Sequence, residues 1–194
     1  MPGRKALAAL AVVGACYGLA GCGVGPQAAP QRIDRDAVPY GLLEVGGGVT
    51  TTPPGSPTTE ILVYLEGKQH LVPVERAVPA PGTIAVALRQ LAAGPTRNES
   101  RLGLTSPASA VGPFEAGPVR RGVVPVDLPL SFENLGGQDQ IVAAAQVVFT
   151  VTGLGGARGV RFLVDGQPAQ VPGDKGNLVR GPVTRADYTL LAPS

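Results

Sequence analysis

Apolar positions fall along this chain in three textures. From Ala6 to Leu19 almost every residue is apolar or small and none is charged. Residues 23–59 show no helical or strand period; Gly, Pro, Gln, Ala and Thr dominate, and residues 50–59 read TTTPPGSPTT. From Glu60 onward short apolar runs are punctuated by Gly and Pro, the texture of a packed domain.

Within that domain Ile61 to Leu65 are apolar at both alternating sets of positions, which predicts a central strand covered on both faces. Glu66-Gly67-Lys68 reads as a turn, and Gln69 to Val74 as the returning strand of a hairpin, with Pro73 at an edge or end. Thr83 is a fair N-cap, and Ile84, Leu88, Leu91 and Ala92 share one helical face. Gly94 and Pro95 stop that helix, predicted over 84–93, with Arg89 and Gln90 turned to water. Arg101 to Thr105 is read as a short strand and Ser106 to Pro118 as a loop. Gly122 to Leu128 is a strand with Val124, Val126 and Leu128 on its buried face. Gln138 to Thr152 has strand propensity in its second half, but its length, its acidic first turn, the stripe Ile141, Ala145, Val148, Phe149 and the final Gly153 favour a helix. Gly159 to Val164 is a strand, and Asp165-Gly166 signals a type I′ turn into Gln167 to Val171. Two hairpins and two main helices on one sheet, mostly antiparallel or mixed, make a single α+β domain.

The first texture changes the picture once its flanks are included. Arg4 and Lys5 precede the apolar run, and Leu19-Ala20-Gly21-Cys22 follows it. This is the layout of a secretory signal, and the last four residues resemble a bacterial lipobox. A lipobox implies cleavage after residue 21 and lipid on the Cys22 sulfur; two acyl chains anchor stably where one is marginal. The run is short for a span of about 20 residues. The expected organisation is a signal peptide over 1–21, lipidated Cys22 and a Pro/Gly/Thr-rich disordered tether over 22–59, and a domain over 60–194. A polyproline-like tether at about 3.1 Å per residue reaches roughly 110 Å from the membrane. Val38 to Val45, with Tyr40, Leu42 and Leu43, could dock on the domain.

Charge and cysteine content then remove several function classes. The chain has 16 basic and 14 acidic residues, and loss of Arg4 and Lys5 leaves a neutral mature protein. Beyond Arg120-Arg121 it has no basic stripe, so a nucleic-acid partner is not expected. Of two cysteines, Cys16 leaves with the signal and Cys22 takes lipid, so no disulfide, thiol nucleophile or cysteine metal site is expected. Abundant Ala, Gly, Pro, Val and Arg with little Lys fit a GC-rich bacterial genome.

The ordered set Val63-Tyr64-Leu65, Leu71-Val72-Pro73-Val74, Leu91-Ala92-Ala93-Gly94-Pro95-Thr96, Val126-Asp127-Leu128, Ala145-Gln146-Val147-Val148-Phe149-Thr150 and Val160-Arg161-Phe162-Leu163-Val164-Asp165-Gly166 resembles GerMN domains. These occur in spore germination proteins and in LpqB-type lipoproteins of actinobacteria. The resemblance extends to Pro182-Val183-Thr184-Arg185-Ala186-Asp187-Tyr188 and implies a compact α+β module for contacts in the cell envelope, without enzymatic activity.

Candidate chemistry is sparse. His70 is the one histidine and lies in a predicted strand without a motif; no serine stands in G-x-S-x-G or S-x-x-K. Asp34-Arg35-Asp36 reads as a solvated cluster, and Asn98-Glu99-Ser100, a sequon, as a surface turn. Glu133 and Asp139 could form the carboxylate pair of a wall hydrolase, or serve the N-terminus of a helix. Four Phe, four Tyr and no Trp make a thin platform for sugar stacking. Gln146 and Arg161 are polar residues inside apolar elements and are expected to be bonded internally. The expectation is a non-catalytic binding module on the extracytoplasmic face of the cell membrane, with Cys22 as the lipidation site and no metal or cofactor. Its expected partner is an envelope protein; peptidoglycan or another wall glycan is the alternative, and hydrolysis by carboxylates a third.

Overall fold

The computed structural model describes residues 57–194, which lie within one compact unit. Cys22, the tether up to Ser56, Asp34-Arg35-Asp36 and Val38–Val45 lie outside the described residues. Strands β1 (Thr58–Gly67) and β2 (His70–Pro79) form an antiparallel hairpin closed by Lys68-Gln69, both at positive φ. The turn lies further along than expected, and β2 continues past Val74 because its alternation does: Val74, Arg76 and Val78 follow one another on one face. The two-residue turn makes Gly67 and His70 a hydrogen-bonded pair, and the bond from Ala80 N–H to the Pro57 carbonyl keeps the same phase. Pro73 and Pro79 therefore sit at positions whose backbone faces away from β1, where a missing N–H breaks no ladder bond.

Helix α1 (Ile84–Ala92) begins where Thr83 accepts from Val86 N–H at 3.3 Å, and Gly94 follows its C-cap at φ +74°. A short helix, α2 (Arg97–Arg101), ends where a strand was expected to begin, and the segment read as a loop holds a second short helix, α3 (Pro107–Val111), and the two-residue strand β3 (Glu115–Ala116). Each helix is nucleated by its cap: Thr96 and Glu99 make a reciprocal capping box, and Ser106 caps α3 ahead of Pro107. Of the expected strand over 101–105 only one bridge remains, between Thr105 and Glu66.

Strand β4 (Val123–Leu128) buries Val124, Val126 and Leu128 as expected. Helix α4 (Gly137–Thr152) then crosses to β5 (Gly159–Val164), which runs parallel to β4. The β-branched residues of α4 are helical because the whole segment is enclosed: Val142 to Val151 are all buried, not merely one stripe. The helix packs on β1, α1, α3 and β5 and is the centre of the domain. Asp165 and Gly166, both at positive φ, turn the chain into β6 (Gln167–Pro168). The predicted return to Val171 is shorter: one more bond, from Ala169 N–H to the Phe162 carbonyl at 3.0 Å, follows β6, and β7 (Val171–Pro172) pairs instead with β8 (Leu178–Val179). The expected single sheet is thus three: β1-β2, the mixed sheet β3-β4-β5-β6, and β7-β8. The class is α+β.

Candidate functional site

Two buried polar residues of α4, Gln146 and Thr150, bond to the hairpin. Gln146 is wholly buried; its Oε1 accepts from Ser106 Oγ at 3.2 Å and Ala108 N–H at 3.1 Å, and its Nε2 donates to the carbonyls of Tyr64 at 3.1 Å and Thr105 at 3.5 Å. One turn later Thr150 Oγ1 accepts from Tyr64 N–H at 3.1 Å. The outward edge of β1 is therefore paired with side chains of a helix where a sheet would supply another strand. As expected, Gln146 is bonded internally. Arg161 is not: it is exposed on β5.

A second polar cluster was hidden from the sequence reading. Arg76 donates to Glu99 at 2.6 Å, to the Gln90 carbonyl at 2.7 Å and to the Gly94 carbonyl at 2.9 Å. Glu99 also accepts from Thr96 N–H at 2.6 Å, so one carboxylate serves the capping box and the ion pair. Gly94-Pro95-Thr96 and the sequon glutamate are thereby tied to β2. Continued alternation beyond Val74 is the sequence signal that would have marked Arg76.

A groove of about 620 Å3 lies at the hairpin tip and is lined by Glu66, Gln69, His70, Gln138, Ile141, Asp174, Leu190 and Leu191. It contains the sole histidine, exposed at the start of β2 with Nδ1 3.2 Å from the Lys68 carbonyl. Its carboxylates are engaged locally: Glu66 accepts from Thr105 Oγ1 at 3.0 Å, and Asp174 from Leu190 N–H at 2.9 Å and Thr189 Oγ1 at 3.2 Å. No Ser, Thr, Cys or Lys lines it, so His70 has no nucleophile there to activate.

The carboxylate pair does not assemble into a cleft. Glu133 and Asp139 are both exposed; Glu133 borders a small groove of about 160 Å3, whose lining excludes Asp139. Asp139 occupies the first turn of α4, where its charge opposes the helix dipole favourably. Among the described residues no group of three or more His, Cys, Asp or Glu is placed to hold a metal. No helix among them is long and apolar enough to cross a membrane.

The aromatic rings point inward. Tyr64, Phe114, Phe132, Phe149, Phe162 and Tyr188 are all buried. The Tyr64 and Phe149 rings pack tilted at 57° with 5.4 Å between centroids, and the Arg185 guanidinium lies over both rings while donating to the Phe149 carbonyl at 3.0 Å. The Tyr188 hydroxyl donates to the Pro172 carbonyl at 3.0 Å. Burial above all, then the charges of Asp187 and Asp174, raise its pKa well above the ordinary tyrosine value.

No curated protein matches the chain. Among solved structures it is similar to the tandem GerMN domains of the sporulation protein GerM from Bacillus subtilis, at 18% identity and a TM-score of 0.49 over 68% of this chain and 48% of that one. The match thus spans about half the length of that tandem structure. It is also similar to the first GerMN domain of the same protein, at 16% identity and a TM-score of 0.48 over 66% of this chain and 99% of the domain. The family model for Germane, described as sporulation and spore germination, matches residues 62–170, from within β1 to just before β7 and more than half of the chain; the protein belongs to this GerMN-type family.

Proposed function

We propose that this protein is a lipoprotein anchored through Cys22 on the extracytoplasmic face of the membrane, and that its GerMN-type domain is a non-catalytic module that holds another envelope protein. The observation that carries the protein-binding reading is the burial of all six aromatic rings between Tyr64 and Tyr188. Sugar rings are commonly held by exposed aromatic faces, whereas the large apolar side chains open to solvent here are leucines and a valine. Anchoring adds local concentration to any contact the domain makes. The groove at the hairpin tip, where His70, Gln69, Gln138, Glu66 and Asp174 stand beside three aliphatic side chains, supports wall glycan as the second reading.

The test offers the detergent-solubilised full chain to envelope proteins and, in parallel, to protein-free cell walls. Saturable retention by a protein supports the proposal; retention on bare wall replaces it with the glycan reading. For the anchor, Cys22→Ser is expected to move the protein from the membrane fraction to the soluble fraction. If the variant still sediments with membranes, lipidation at Cys22 is not what holds it.

A further inference from the structure

Two shallow depressions open at the carboxyl ends of the parallel strands β4 and β5 and share Leu128. Beside them stand two leucines that the fold leaves in water, Leu130 at 64% exposure and Leu178 at 61%. Glu115, Asp127 and Asp165 line one depression and Glu133 the other, and no Lys or Arg lines either. Glu115 and Asp127 are register partners across β3 and β4, so like charges stand opposite each other. Asp127 accepts from Gly166 N–H at 2.8 Å through Oδ2, while its Oδ1 is buried with no hydrogen-bond partner. Among the described residues the one ion pair is Arg76–Glu99, so none of these four carboxylates has a Lys or Arg within ion-pair distance.

Apolar surface and uncompensated negative charge on one face define their complement. We infer that this surface docks a cationic, apolar segment of a partner protein, whose Lys or Arg groups meet the exposed Glu115, Asp165 and Glu133 while its aliphatic side chains cover Leu130 and Leu178. The inference rests on the protein-binding reading above and adds to it the surface and the chemistry of the partner. The acidic rim repels phosphate-rich polymers and anionic lipid head groups, so it selects a polypeptide. Rim charges steer the encounter and set register, and the leucines supply the desolvated contact.

The test introduces photoreactive p-benzoylphenylalanine into the full chain in its own cells, at Leu130, Leu178, Leu102 or Leu190 in turn. The last two are exposed leucines outside this surface. Adducts are expected from positions 130 and 178 with one partner segment of net positive charge and aliphatic content. Adduct yield is expected to fall about tenfold in the triple variant Glu115→Gln, Glu133→Gln, Asp165→Asn, as rim charge lost from an interface slows association. All three side chains are exposed, and Asn tolerates the positive φ of Asp165, so an unchanged melting temperature is the control for folding. An acidic or neutral segment, a second copy of this chain, an unchanged yield in the variant, or no adduct at 130 and 178 overturns the inference. Adducts from 102 or 190 alone overturn the surface and keep the protein-binding reading; no adduct anywhere, with retention on bare walls, overturns both.

Discussion

Gln146 survives at the centre of a helix because both ends of its amide are occupied. Gln146→Leu would leave the Tyr64 carbonyl, the Ala108 N–H and the Ser106 hydroxyl without this partner inside the core. The Ser106 hydroxyl keeps its bond from Ser109 N–H, so at about 1–3 kcal/mol for each of the other two groups the expected loss is at least about 2 kcal/mol, read as a lower midpoint in urea. Tyr188 makes a different prediction. The unfolded tyrosine ionises near pH 10 while the buried one holds its proton well above that, so the folded state binds more protons and stability falls as pH rises past about 10. Tyr188→Phe is expected to be about 1 kcal/mol less stable at neutral pH, having lost the bond to Pro172. Its decline above pH 10 should be shallower than the parent's by up to about 1.4 kcal/mol per pH unit, measured in urea titrations from pH 8 to 11. At this scale the sequence marks that Gln146 needs partners but not which, because Tyr64 and Ser106 lie 82 and 40 residues away. Arg161, equally polar within an apolar run, needs none because its side of β5 faces out.

Elements announced by capping and periodicity were the ones most legible in advance. Thr83 and Gly94 bound α1 as expected, and Asp165-Gly166 makes the tight turn its residues demand. Elements of five residues were not legible: α2 and α3 are too short to show a period, and only their caps, Thr96 with Glu99 and Ser106 with Pro107, announce them. The hairpin was placed with its turn too early and its second strand too short, since Pro73 resembles a strand end when the register is unknown. In the structure that proline guards the free edge of β2. Pro73→Thr restores an N–H on that edge in a residue suited to strands. It is expected to cause concentration-dependent association, detected by sedimentation velocity; a variant monodisperse like the parent would show that another feature protects the edge.

For the whole molecule, the α+β class followed from the mixture of elements, but the division into three sheets did not, because β3, β6, β7 and β8 are two-residue ladders fixed only by tertiary contacts. The carboxylate cleft, the third alternative, does not form for a related reason: neighbours in sequence, Glu133 and Asp139 both end on the outside once α4 turns inward. Sequence composition ahead of β1 predicts that limited proteolysis removes it and leaves a resistant fragment beginning within a few residues of Thr58, read by mass spectrometry. A resistant fragment that begins before Tyr40 would instead show that more of the chain is packed. The bonds from Gln146 and Thr150 to Tyr64 also set an order of events. A chain that emerges amino end first, from a ribosome or through a membrane pore, delivers Tyr64 of β1 more than eighty residues before Gln146 and Thr150, which complete its edge. During that interval the hairpin is a template in search of a strand, so the speed of delivery, not only final stability, governs how often the molecule reaches its native pairing.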